Sequence, residues 1–199
     1  MRSFKRGSIL LLALAALAAV GVPNAAAVEF HFESETTKIS GSQEGVSTYT
    51  MTAGELTCET ATYTGVATSK TQSSFKLAGT VSGCHLIVFG STIAATINQN
   101  GCEGVIYANS EGELVCPEGK SVVVTAPGCT ITIPPQKKTG GEIVNKGNHF
   151  HMSGTATGIK YTHSGFTCGF GSGSNGTISG ETTVITTDTS GKEVKSWIE

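Results

Sequence analysis

The chain has 199 residues, with 13 Lys and Arg against 15 Asp and Glu, a formal charge of −2 and only 14% charged side chains. Both arginines, Arg2 and Arg6, lie at the extreme N-terminus, so the rest of the chain has no guanidinium to read guanine edges or grip phosphates, and nucleic acid is excluded as a partner. Asp188 is the single aspartate, which excludes EF-hand calcium loops and paired catalytic aspartates.

Residues 1–27 begin with Arg2, Lys5 and Arg6, continue through an apolar stretch from Ile9 to Val22, and end in Pro23 and Ala25-Ala26-Ala27. This is the pattern of a secretory signal peptide cut after Ala27. The apolar stretch is shorter than the roughly 18 residues of a membrane span, and no comparable stretch follows. The expectation is a secreted, extracellular chain without an integral membrane segment once the leader is removed. Loss of the leader's three cations shifts the formal charge from −2 to −5. Residues 28–199 are enough for one domain with a substantial core.

From there, alternating segments follow one another. "VEFHFES" sets Phe30 and Phe32 on one face, and "STYTMT", "TATYTGVAT", "FKLAGTV", "HLIVF", "STIAATI", "GVIYA", "ELVC", "SVVVT", "CTITI", "FHM", "GIKYT", "TTVITT" and "VKSWI" come after it. A period of two runs through nearly all of them, and no window after the leader has helical apolar spacing. Turn signals separate them, among them Gly90-Ser91, Asn98 to Gly101, Asn109 to Gly112, Ala126-Pro127-Gly128 and Asn175-Gly176. With 26 glycines, this pattern predicts an all-β protein, a single antiparallel β-sandwich or flattened barrel.

The six cysteines are Cys58, Cys84, Cys102, Cys116, Cys129 and Cys168. In an exported chain an even count reads as three disulfides, and neighbours at least a dozen residues apart do not make the paired ligands of structural zinc. A hairpin turning near Asn109 sets Val105 opposite Glu113 and Cys102 opposite Cys116. Cys116 and Cys129 are separated in a simple meander by the strand "SVVVT", roughly 17 Å. Pairing of sequence neighbours, Cys84 with Cys102, Cys116 with Cys129 and Cys58 with Cys168, is the competing scheme, and both stay open.

His149 and His151 in "NHFHM" project from one strand face and are the metal-binding candidates, with His31, Glu33 or His163 as a third ligand. Alternation alone gives a plainer reading, with Phe150 and Met152 facing the core and the two histidines facing water. "GSGSNG", Gly171 to Gly176, matches a dinucleotide fingerprint, but the strand-like "TISGETTVIT" follows where a helix is required; the expectation is a hairpin tip with Asn175-Gly176 as its turn. Phe166 and Phe170 flank Cys168 and are expected to plug the core beneath the loop, the alternative being that they stack on a ligand. No G-x-S-x-G motif occurs, and no catalytic residue or cofactor is assigned.

The ordered set "GELTCETATYTG", "SGC" (82–84), "NGC" (100–102), "LVCPEGKSVVV", "GCTITIPPQ", "GIKYT" and "NGTISG" resembles a group of secreted, six-cysteine, β-rich proteins of actinobacteria. That resemblance implies export and a β fold, and transfers no catalytic residue. The function expected is non-catalytic: a secreted or cell-envelope protein binding a surface, glycan or protein partner. The alternative is a secreted enzyme or metal-binding protein using His149 and His151.

Overall fold

The computed structural model describes residues 27–52, 54–168 and 171–199; the expected leader, apart from Ala27, lies outside them. Every regular element among the described residues is a strand. In chain order these are β1 (Phe30–Phe32), β2 (Thr37–Met51), β3 (Gly54–Ala67), β4 (Thr71–Gln72), β5 (Ser74–Val88), β6 (Ser91–Asn98), β7 (Glu103–Tyr107), β8 (Glu111–Val115), β9 (Val122–Ala126), β10 (Cys129–Ile133), β11 (Gln136–Thr139), β12 (Gly141–Lys146), β13 (His149–Ser164), β14 (Gly173–Thr187) and β15 (Ser196–Ile198).

Five of them, β2, β3, β5, β13 and β14, are 14 to 16 residues long and form the back of the molecule in the order β5-β3-β2-β14-β13. At one end, β6, β9 and β10 complete a ring: the second half of β5 pairs with β6, β6 with β9, β9 with β10, and β10 with β13. At the other end, β7, β8 and β11 extend from the first half of β5, and β12 pairs with the first half of β13. All these pairings are antiparallel. The expected flattened barrel is therefore present as a large, partly ringed antiparallel sheet. A small sheet of β15, β1 and β4 caps the β7-β8 end.

Two hydrophobic clusters hold the ends. The ringed end buries Met51, Leu56, Leu86, Val88, Val124, Ile131 and Tyr161. The capped end is built on four phenylalanines, Phe30, Phe32, Phe75 and Phe150, with ring centroids 4.7 to 6.5 Å apart in tilted, edge-on and stacked contacts. Such rings bury large apolar areas and add pairwise stabilisation of about 0.5–1.5 kcal/mol each. The common face expected for Phe30 and Phe32 is observed, and both are fully buried.

The disulfides are Cys58–Cys84, Cys102–Cys116 and Cys129–Cys168. The hairpin argument holds: Val105 is opposite Glu113 and Glu103 opposite Val115, which brings Cys102 to Cys116. The neighbour scheme is overturned at every pair. Cys58 and Cys84 are register partners across β3 and β5, so their Cα atoms are 4.0 Å apart without any loop rearrangement. Cys129 opens β10, which pairs with the end of β13, and Cys168 follows that end closely.

Two further expectations are corrected. Asn175-Gly176 is not a turn but lies inside β14, with Gly176 opposite Ile159. A Cβ on Gly176 would fall 2.6 Å from the Tyr49 hydroxyl, so its glycine makes room for an aromatic ring rather than a chain reversal. Phe166 does not plug the core, being 93% exposed on the loop after β13; Phe170 lies outside the described residues.

Candidate functional site

Between the two end clusters lies a cavity that is partly open to solvent. It measures about 510 Å³ and is lined mainly by apolar side chains, including Tyr49, Leu56, Tyr63, Val81, Ile97 and Ile159. Its volume falls within the roughly 300–1,000 Å³ range of small-molecule pockets. The hollow has a cause in the sequence. Midway along the long strands, positions lining the cavity carry Ala61, Gly79, Ala156 and Gly180, and their small side chains leave the centre unfilled.

Tyr63 is the largest side chain set against this small-residue band. Its register partners are Gly41 on β2 and Gly79 on β5, so glycines flank it on both sides. Burial pushes its phenol above the ordinary range. Tyr49, 95% buried at the edge of the ringed-end cluster, packs edge-on against Tyr161 at 6.1 Å. Burial first, and Tyr161 second, push its phenol up as well. The Tyr49 hydroxyl has no hydrogen-bond partner among the described residues.

The side of the cavity opposite the long strands is formed in part by three short connections between the two ends. These are 99–102 from β6 to β7, 116–121 from β8 to β9, and 134–135 from β10 to β11. Gln99, Cys102 and Gln136 from these connections or their edges line the cavity. Asn100 Nδ2 donates to the Ser121 carbonyl at 2.8 Å, and the Gln136 side chain bonds both the N–H and the carbonyl of Lys160 on β13.

The histidines named from sequence lie elsewhere, on the outer face. Phe150 and Met152 turn toward the capped-end cluster as alternation requires, but the histidines do not face open water. Side-chain exposure is 21% for His149 and 14% for His151. Acidic residues from neighbouring segments cover them: His149 Nε2 is 3.1 Å from Glu193, while His151 Nε2 is 3.4 Å from Glu44 and 3.8 Å from Glu181. The proposed third ligands are otherwise engaged. His31 stacks on Trp197 at 5.2 Å and faces Glu199, Glu33 accepts from the Lys195 N–H, and His163 pairs with Ile131 in the ladder between β13 and β10.

Sequence reasoning missed Glu44 and Glu181, because they come from β2 and β14 and only the register brings them together. They are direct partners across those strands, beside a register irregularity between Ser179 and Glu181. Thr183 donates to Glu44 Oε1, and this bond, ahead of the nearby Lys146 and His151, holds the Glu44 carboxyl below its usual range. The "GSGSNG" segment runs directly into β14 and no helix follows it, so the phosphate-binding geometry of a dinucleotide fingerprint is not formed.

No protein-family model matches the chain, and no curated protein or solved structure is significantly similar to it. Geometry alone therefore defines the class: an all-β, disulfide-stapled, partly ringed sheet with an apolar interior cavity. Among the described residues, no helix is long and apolar enough to cross a membrane.

Proposed function

We propose that this is a non-catalytic binding protein of the extracellular space or cell envelope, and that its ligand is a small, largely apolar molecule held in the central cavity. One observation carries the reading: a cavity of about 510 Å³, walled mainly by hydrophobic side chains, is kept open by small residues in the middle of long strands. Stable proteins pack their interiors to crystal-like density, so an unfilled centre of this size in a well-stapled fold is a feature in need of an occupant. Partly closed β-barrels with apolar interiors are suited to such cargo because the ladder fixes the walls while the interior positions set the shape. Export is supported by the leader pattern of residues 1–27, by three disulfides suited to an oxidising compartment, and by the resemblance to secreted six-cysteine β proteins. The cavity narrows the broader expectation of a surface, glycan or protein partner toward a molecule small enough to be enclosed.

The test is titration of the oxidised protein with N-phenyl-1-naphthylamine, an apolar dye that brightens when removed from water. The expected result is saturable one-to-one enhancement that is lost in Ala156→Phe and in Ala61→Phe, which fill the cavity, while circular dichroism stays unchanged. Unsaturable enhancement in the wild type, or equal binding by folded filled variants, would overturn the proposal.

A further inference from the structure

We infer that Glu44, His151 and Glu181 form a divalent-cation site of the zinc type on the outer face of the β2-β14-β13 sheet, separate from the central cavity. The site takes one imidazole and two carboxylates, with His149 outside it.

Register provides the first argument. Glu181 on β14 is the direct partner of Glu44 on β2, and His151 is the partner of Thr183, two residues further along β14. Like charges placed directly opposite each other on one sheet face repel, so a cation between or beside two facing carboxylates relieves that repulsion. Lys146 acts on Glu44, but more weakly than the Thr183 hydrogen bond. The group that faces both carboxylates is the His151 imidazole.

Spacing provides the second. His151 Nε2 is buried between a Glu44 carboxylate oxygen 3.4 Å away on one side and a Glu181 oxygen 3.8 Å away on the other, both long contacts. Ion-pair hydrogen bonds between nitrogen and carboxylate oxygen close to about 2.7–2.9 Å. Ligands on a tetrahedral zinc, with bonds of about 2.0–2.2 Å, stand about 3.3–3.6 Å from one another. The three ligand atoms lie within 4.8 Å of one another, so the contacts are longer than close ion-pair hydrogen bonds, and a shared metal would draw the more distant ligands inward.

Orientation provides the third. Thr183 donates to Glu44 Oε1, which leaves Oε2 as the oxygen turned to His151. Fixing one carboxylate oxygen with a neighbouring hydroxyl while the other points at the ion is how metal-binding carboxylates are held in register. The exposure of both glutamates leaves a fourth position for water. His149 is engaged by Glu193 instead and does not belong to the trio.

The experiment is calorimetric titration of the oxidised protein with Zn²⁺ at neutral pH, followed by Co²⁺ loading monitored by visible absorption. The expected result is one site, the d–d bands of a four- or five-coordinate Co²⁺, and at least about tenfold weaker Zn²⁺ binding in both His151→Gln and Glu181→Gln, with a smaller loss in Thr183→Val. Glu181 is 58% exposed, so its substitution leaves the fold intact and the comparison readable. His149→Gln is expected to bind as the wild type does. Absence of saturable Zn²⁺ binding, binding unaffected by Glu181→Gln, or binding lost in His149→Gln would each overturn the inference. None of these readouts involves the cavity, so failure here leaves the dye-binding result standing, and the reverse holds too.

Discussion

The Tyr63 ring rests against the bare backbone of Gly79 on the neighbouring strand: a Cβ added there would sit 3.3 Å from the ring's Cδ1 and Cε1. That distance is closer than side chains ordinarily tolerate. Gly79→Val is therefore expected to push Tyr63 toward the cavity and to destabilise the fold by about 1–3 kcal/mol, as overpacking does. Urea denaturation of the variant checks the stability, and reduced dye capacity checks the direction of the shift.

Tyr49 gives a prediction of opposite sign. Its hydroxyl is buried without a hydrogen-bond partner among the described residues, so Tyr49→Phe should raise stability by about 1 kcal/mol rather than lower it. Gly176→Ala should destabilise, because the new methyl would meet that hydroxyl at 2.6 Å and the ring at 2.8 Å. In the double variant, part of the loss should return, since the atom in closest conflict is gone. Strict additivity of the two single effects would contradict this packing.

The three disulfides close loops with sequence separations of 26, 14 and 39. On the chain-entropy account each contributes about 3–4 kcal/mol, a total comparable to the roughly 5–15 kcal/mol net stability of a domain. Excess reductant should thus abolish cooperative unfolding at ambient temperature, or lower the melting point steeply. Cys116 is the only half-cystine that is not buried. Stepwise reduction with alkylation and peptide mapping should release Cys102 and Cys116 first; early release of Cys129 and Cys168 would contradict the burial order.

Asp188 closes the loop after β14, where its Oδ1 accepts from the Ser190 hydroxyl, the Ser190 N–H and the Lys192 N–H. The Ser190 hydroxyl foremost, then the backbone N–H groups, hold its carboxyl below the usual aspartate range. A folded-state value below the unfolded one means that the contribution is present above the unfolded value, about 3.9, and is lost as pH falls through the folded value. Asp188→Asn should therefore flatten the fall in melting temperature between about pH 5 and pH 2 relative to the wild type. An identical pH profile in the two proteins would count against these bonds.

Strand character, inward faces and one disulfide were legible in the sequence because each depends on residues close together in the chain. Val122, Val124, Cys129 and Ile131 alternate inward as their spacing requires, and the Asn109 hairpin fixes Cys102 against Cys116. Strand length was not legible. Gly41, Gly154 and Gly180 fall outside the alternating segments, yet these three and Gly79 all lie within long strands. At Gly41 and Gly79 the reason is the ring between them. The histidine–glutamate trio depends on the pairing of β2 with β14, strands more than a hundred residues apart in sequence, and alternation along β13 carries no information about what β2 and β14 place beside it.

The three connections along the front have a mechanical consequence. The five long strands form an unbroken back, whereas the front is a seam where the chain passes between the two ends only at 99–102, 116–121 and 134–135. Each crossing is pegged: the first two to each other by Cys102–Cys116 and by Asn100 to Ser121, the third to the back by Gln136 to Lys160. The disulfide thus acts as a hasp as well as a staple. It holds the first two crossings side by side while Gln136 ties the third to β13, so the front wall of the cavity is fixed at its crossings. Reduction of that single bond would release the first two crossings from each other and loosen the front wall while the ladder of the five long strands stays paired.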